Sequence, residues 1–254
     1  MRFLGVLSLA ACAFALAGCM DDKTETVTVT KTVTETATSS VPEEAPAQVV
    51  LYFLEDGKVA PEVRGIVAGQ AIGTATVNEL LKGPDSDLTT SIPSGTKLQS
   101  LSIENGVASI DLDPTLDSTA ARSEIVYTLT QFSTVKRVSF NRGRPVTRAA
   151  FENQTPAVFV ESPLPGEDVE PGFAVTGTAN TFEATFNYEL RDATDKVLAK
   201  NFVTATSGSG TRGTFRFTVP YEVARPQDGR LVVFELSAAD GSRINERSTP
   251  LRLR

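Results

Sequence analysis

Three groups of residues have the types and spacing that chemistry needs. Gly208, Gly210 and Gly213 in "SGSGTRGTF" (207–215) stand in the G-x-G-x-x-G spacing that cradles pyrophosphate. That mechanism requires a strand before the glycines and a helix opening on the third, so that backbone N–H groups face the phosphate. Asp111 and Asp113 lie two apart in an alternating run, on one side of a strand, and Glu104 sits across the Asn105-Gly106 turn. Three carboxylates in that arrangement have the chemistry of a cation site or of a general acid and base. Asp85 and Asp87 in "GPDSDL" have the spacing of the first two ligands of a calcium loop.

The composition weighs against all three. The chain has no His, which removes the commonest general base, the Ser-His-Asp and Cys-His arrangements and the usual zinc ligands. Its two cysteines, Cys12 and Cys19, fall in the first twenty residues, so the remainder has neither disulfide nor thiol nucleophile. A glycosidase built on Glu104, Asp111 or Asp113 would need a cleft of sugar-stacking aromatics, and there is no Trp and only four Tyr. The other ligand positions of a calcium loop are missing after Asp87, which reads as a turn. The glycines are followed by "TFRFTV", with Phe215, Phe217 and Val219 on one face of a strand. No helix opens on Gly213, and Arg212 reads as a solvated loop charge. We therefore expect no catalytic residue, no metal, no cofactor and no nucleotide. The net charge of −7, with no basic stripe, argues against nucleic acid.

The first residues are an address. "MRFLGVLSLAACAFALAGC" has one basic residue, Arg2, then an apolar run ending in small residues, the three regions of a secretory signal. Leu16-Ala17-Gly18-Cys19 resembles a bacterial lipobox. That resemblance implies cleavage after Gly18, a signal peptide of residues 1–18, and a lipid on Cys19 that anchors the mature chain to the cell membrane, outside the cytoplasm. Residues 19–47 alternate Thr with Val and then turn rich in Pro and Glu. They offer few large apolar groups to bury and read as a tether.

From 48 to 150 the pattern mixes helix and strand. Val49 to Leu54 is a dense apolar strand ending at Asp56-Gly57, a hairpin-turn pair. Val77, Leu80 and Leu81 share a helical face that Gly83-Pro84 ends. Leu101 and Ile103 alternate before Asn105-Gly106, and Ala108, Ile110 and Leu112 after it, a strong hairpin signal. Ile125, Val126, Leu129 and Phe132 mark a second amphipathic helix, to be capped by Asp117 or Ser118, and "VKRVSF" closes as a strand. The expected order is β-α-β-β-α-β, with both helices on one face of a sheet. "LYFLEDGKVAP", "ELLKGP", "SIPSGTKLQSLSIENGVASIDL" and "EIVYTLTQFSTVKRVSF" resemble the GerMN domain of sporulation and spore-germination proteins. The resemblance implies a non-enzymatic envelope module with no catalytic residues.

From 156 to 254 short alternating strands are separated by Gly, Pro, Asn and Asp. Seven are expected, near 157–161, 173–178, 182–191, 196–205, 213–219, 231–238 and 247–253. In the third, Phe182, Ala184, Phe186, Tyr188 and Leu190 take one face. Without a helix this is an all-β sandwich. "VFVESPLPGEDVEPGFAVTGTANTFEATFNYELRD", "FVTATSGSGTRGTF" and "LVVFELSAADGS" resemble the immunoglobulin-like domain of bacterial spore germination. The two resemblances imply an α+β GerMN-like domain followed by an immunoglobulin-like sandwich, on a lipid anchor, working as a protein-interaction or assembly module of the envelope. An envelope protein is the expected partner, with peptidoglycan or another glycan as the alternative.

Overall fold

The computed structural model describes residues 46–67 and 71–254. The expected signal sequence, cleavage point after Gly18, lipidation site at Cys19 and tether up to residue 45 lie outside the described residues. Pro46 and Ala47, assigned above to the tether, open the first strand.

Strand β1 (Pro46–Glu55) turns at Asp56-Gly57 into β2 (Lys58–Val67). Both turn residues have positive φ, 50° and 71°, the conformation of a two-residue hairpin whose twist matches its strands. β2 is one strand more than the six-element order expected. Pro61, Glu62, Arg64 and Gly65 break its alternation, yet it stays in register with β1 from Glu55↔Lys58 to Pro46↔Val67.

The β1–β2 hairpin forms a sheet of its own, where a single sheet was expected. The reason lies at the free edge of β1. Tyr52 N–H donates to Thr128 Oγ1 (3.0 Å), and Val50 N–H donates to Gln131 Oε1 (2.8 Å), whose amide returns a bond to Val50 O (2.6 Å). Side chains from the second helix and the residues just after it thus satisfy backbone groups that another strand would otherwise pair.

Helix α1 (Ile72–Leu80) buries Val77 and Leu80, and the chain stops where expected, with Gly83 at φ 92° donating to Leu80 O. Helix α2 (Thr119–Leu129) is capped by Ser118, whose hydroxyl accepts from Ala121 N–H. Ile125, Val126 and Leu129 are buried, while Phe132 falls beyond the helix end. The second sheet orders β3 (Lys97–Glu104), β4 (Val107–Asp113) and β5 (Arg137–Phe140), with the first pair antiparallel through Asn105-Gly106 and the second parallel.

The remaining strands are β6 (Val158–Ser162), β7 (Asp168–Val169), β8 (Phe173–Ala179), β9 (Thr185–Asp192), β10 (Val197–Thr204), β11 (Gly213–Val219), β12 (Gln227–Leu236) and β13 (Arg243–Leu253). They form sheets ordered β10-β9-β12-β13-β7 and β11-β8-β6, the two layers of a sandwich. The eighth strand, β7, has two residues and pairs parallel with β13, too short to leave an alternating pattern. Phe186, Tyr188 and Leu190 are buried as expected, but Phe182 is 66% exposed. It lies in a 3-10 turn (Phe182–Ala184) where Glu183 and Ala184 take positive φ, so the alternation fails before Thr185.

Glu124 on α2 is fully buried and accepts from Thr90 Oγ1 (2.6 Å) and Ser91 N–H (2.8 Å), holding the loop that precedes β3. Burial pushes its carboxyl from 4.5 up to about 7. The folded state therefore binds this proton more tightly than the unfolded chain, and stability falls as pH rises from about 4.5 to about 7. We expect the stability difference between the native chain and Glu124→Gln to shift against the native chain by about 3 kcal/mol over that window. Urea unfolding at pH 4, 6 and 8 tests this, and a difference that stays constant would refute it.

Candidate interaction groove at the domain junction

The two halves meet through β6 and the 3-10 segment Arg148–Gln154. Side chains alternate along β6, so Val158 and Val160 enter the sandwich core while Phe159, 3% exposed, enters the core of the first half. There Phe159 meets Tyr127 edge-on (5.5 Å between centroids) and Tyr52 (6.0 Å), which lie 5.5 Å from each other.

Two arginines close over this cluster. Arg148 lies over the Tyr127 ring at 4.6 Å and donates to Thr130 Oγ1 (2.6 Å), Glu161 Oε1 (2.6 Å) and Tyr127 O (3.3 Å). Arg212 forks onto Glu152, with contacts of 2.9 to 3.1 Å, and reaches Pro156 O (2.8 Å) and Thr178 Oγ1 (3.2 Å). The Arg212 bonds, with help from Asn180, hold the Glu152 carboxyl below the usual carboxylate range. A cavity of about 260 Å³ lies between these pairs. Its charged groups satisfy one another, leaving little for a ligand to complete.

On the other side of Phe159 a larger groove of about 450 Å³ opens, within the range of small-ligand and peptide clefts. Its floor is Val59, Ala60, Val158 and Phe159, and its walls include Val63, Leu88, Pro165 and Pro250. Its charged lining residues are Glu55, Glu62 and Arg247. Arg247 reaches Asp56 (2.9 Å) and Glu55 (3.2 Å), tying β13 to the first hairpin. Arg64, largely buried, contacts Glu62, Glu79 (3.2 Å) and Asp85 (3.2 Å). Burial alone would raise the Glu62 carboxyl, but bonds from Ser86, the Asp85 N–H and Arg64 bring it below the usual range.

The structure sorts the residues singled out from the sequence. Gly208 and Gly210 lie in a strand-to-strand loop and Gly213 opens β11, as the flanks indicate. A Cβ on Gly208 would lie 2.5 Å from the Ala184 backbone and one on Gly213 2.3 Å from Ser207 N, and Gly210 has φ 103°. Backbone crowding and turn geometry account for the spacing. Arg212 is not the solvated charge expected. Its side chain is 16% exposed, because the loop lays it against the linker carboxylate of Glu152.

Glu104, Asp111 and Asp113 are not brought together. Glu104 pairs with Val107 at the turn, four residues, or about 13 Å, from Asp111 along β4. Asp111 instead accepts from Ser100 Oγ (2.9 Å). Among the described residues no group of three or more acidic, Cys or His side chains is placed to hold a metal. Asp85 pairs with Arg64, and Asp87, two residues on, lies exposed. Sequence reasoning missed Arg148, Glu152, Phe159 and Arg247, whose partners lie up to 192 residues away. The local signal at Phe159 was an apolar run of three, Val158 to Val160, that two-core alternation explains only once both cores are known.

With this geometry established, residues 50–144 match the family described as sporulation and spore germination, and residues 157–242 match the immunoglobulin-like domain of bacterial spore germination. The chain carries one domain of each family, in that order. Among solved structures, the tandem GerMN domains of the sporulation protein GerM from Bacillus subtilis are 25% identical over 44% of this chain and 48% of that one, with a TM-score of 0.36. The match thus spans about half of that structure's length. A putative lipoprotein from Clostridium perfringens is 19% identical over 44% of this chain and 93% of that one, with a TM-score of 0.30. No curated protein matches the chain. No helix among the described residues is long and apolar enough to cross a membrane.

The junction joins the GerMN and immunoglobulin-like domains through one buried aromatic side chain. We expect Phe159→Ala to cost about 3–5 kcal/mol and to open the 148–156 linker to limited proteolysis before either domain unfolds. Unchanged cleavage at the linker, with a small change in unfolding midpoint, would show that Phe159 does not hold the domains together.

Proposed function

We infer that this chain is a non-enzymatic envelope lipoprotein that acts as a protein-interaction or assembly module in a germination-related system. The observation that carries the reading is the domain junction. Two domains are held by a shared core residue and by the Arg148–Glu161, Arg212–Glu152 and Arg247–Asp56 pairs, and between them they leave an open apolar groove. A fixed angle between domains suits a part that must present one surface to a partner. The descriptions of both matching families concern sporulation and germination and name no catalytic activity. The GerMN domain is in keeping with a place outside the cytoplasm, and the Leu16-Ala17-Gly18-Cys19 sequence supplies the anchor.

Two experiments test the parts separately. Cys19→Ala should move the chain from the membrane fraction to the soluble fraction or leave it as unprocessed precursor, whereas membrane retention of a cleaved Cys19→Ala chain would exclude the lipid anchor. In-cell cross-linking of the full chain followed by mass spectrometry should capture defined envelope proteins, and capture should fall when Phe159→Ala loosens the junction. Recovery of wall fragments alone would replace the assembly role with peptidoglycan binding.

A further inference from the structure

The groove between β2 and β6 has a shape and charge that specify an occupant. Consecutive residues Val59 to Val63 line one side, so it runs along the strand for five residues, about 16 Å. A short extended segment matches that length. Pro61, Pro156, Pro165 and Pro250 in the lining lack an N–H and reduce the main-chain donors it offers. Pro61 also blocks ladder pairing along β2. This favours binding by burial of apolar side chains over the addition of a strand.

The mouth adds charge selection. Glu55, Glu62 and Arg247 line the groove, and ion pairs extend from them past the lining: Asp56 joins Glu55 on Arg247, and Asp85 joins Glu62 on Arg64, whose further partner Glu79 also holds Lys82. Every carboxylate has a partner, and the five acids against three cations leave a net charge of −2. Asp56 and Asp85 are the most open, at 83% and 80% exposed. The Asp85 loop is already ordered, since Glu62 accepts from the N–H groups of Asp85 (3.2 Å) and Ser86 (3.1 Å). A cation arriving there meets carboxylates held in place and a rim of complementary sign. A glycan fits less well. The one aromatic side chain in the lining, Phe159, is buried in the floor and offers no open stacking face.

We propose that the groove between the GerMN and immunoglobulin-like domains binds an extended protein segment of aliphatic residues flanked by Lys or Arg. The inference rests on the reading of the chain as an interaction module and names the kind of partner segment that module takes. Aliphatic side chains fill the floor over Val59 and Phe159, and the flanking cations lie at Asp56 and Asp85.

The test is selection of nonapeptides from a random displayed library on the purified full chain, followed by affinity measurement with the enriched peptides. The expected peptides carry two to four aliphatic residues beside Lys or Arg. Their affinity should fall about tenfold or more in Val63→Trp, which fills the groove, and about three- to tenfold in the exposed variant Asp85→Lys, with weaker binding at high salt. Asp85→Lys keeps the test decisive if Val63→Trp does not fold. No enrichment, enrichment of acidic peptides, or affinities unchanged in both variants would overturn the proposal, as would displacement of the peptides by soluble muropeptides. If the two variants keep the native set of in-cell cross-links, the groove proposal fails while the assembly reading stands. If the native chain captures no envelope protein, the assembly reading fails first.

Discussion

The placement of Phe159 is the interaction on which the rest of this structure depends. A strand sends neighbouring side chains to opposite faces, and β6 uses that rule to serve two cores, with Val158 and Val160 in the sandwich and Phe159 among Tyr52 and Tyr127. A linker of ordinary polarity would leave the two domains free to turn on each other. Here the first strand of the second domain is also a packing element of the first, so rotation would have to expose an aromatic ring.

The charged groups around Phe159 follow from its burial. Arg148 stacks on the Tyr127 ring while its remaining donors are taken by Thr130, Glu161 and the Tyr127 carbonyl. Arg212 reaches the linker from a loop of the sandwich and pairs with Glu152. Part-exposed ion pairs contribute modestly to stability, so the weight of the junction rests on the aromatic contacts, with the arginines fixing orientation. Arg247 repeats the arrangement on the groove side, where its partners Glu55 and Asp56 sit on the first hairpin. The groove is the space these contacts leave between two rigid bodies. Its floor is made of side chains already committed to the two cores, which keeps it open and apolar.

Much of the fold was legible because it rests on local rules. Asp56-Gly57 and Asn105-Gly106 are two-residue turns with positive φ at both positions, and Gly83 ends α1 in the left-handed conformation, each readable from a pair of letters. Elements were misread where a tertiary contact supplied what the local pattern lacked. β2 carries polar residues because its own Glu62 and Arg64 enter ion pairs with each other and with Glu79 and Asp85, and the separation of the two sheets depends on Gln131 and Thr128 reaching β1 from the helix side. Phe182 continues the alternation of β9 in sequence, but a 3-10 turn sets it outside.

The sequence by itself determined the two domain types, their order, the hairpin turns, the helix ends and the absence of histidine chemistry, because each depends on residue type or spacing within about ten positions. It also determined that Gly208, Gly210 and Gly213 lead into a strand and not a helix, which separates them from a phosphate loop. Only the tertiary structure decided that Arg212 is held by Glu152, that Glu104 stands apart from Asp111, and that a groove with an acidic mouth opens beside Phe159. The Arg212–Glu152 pair and the groove join elements far apart in the chain, and no local pattern records the distance between side chains that meet only when two cores pack against one strand.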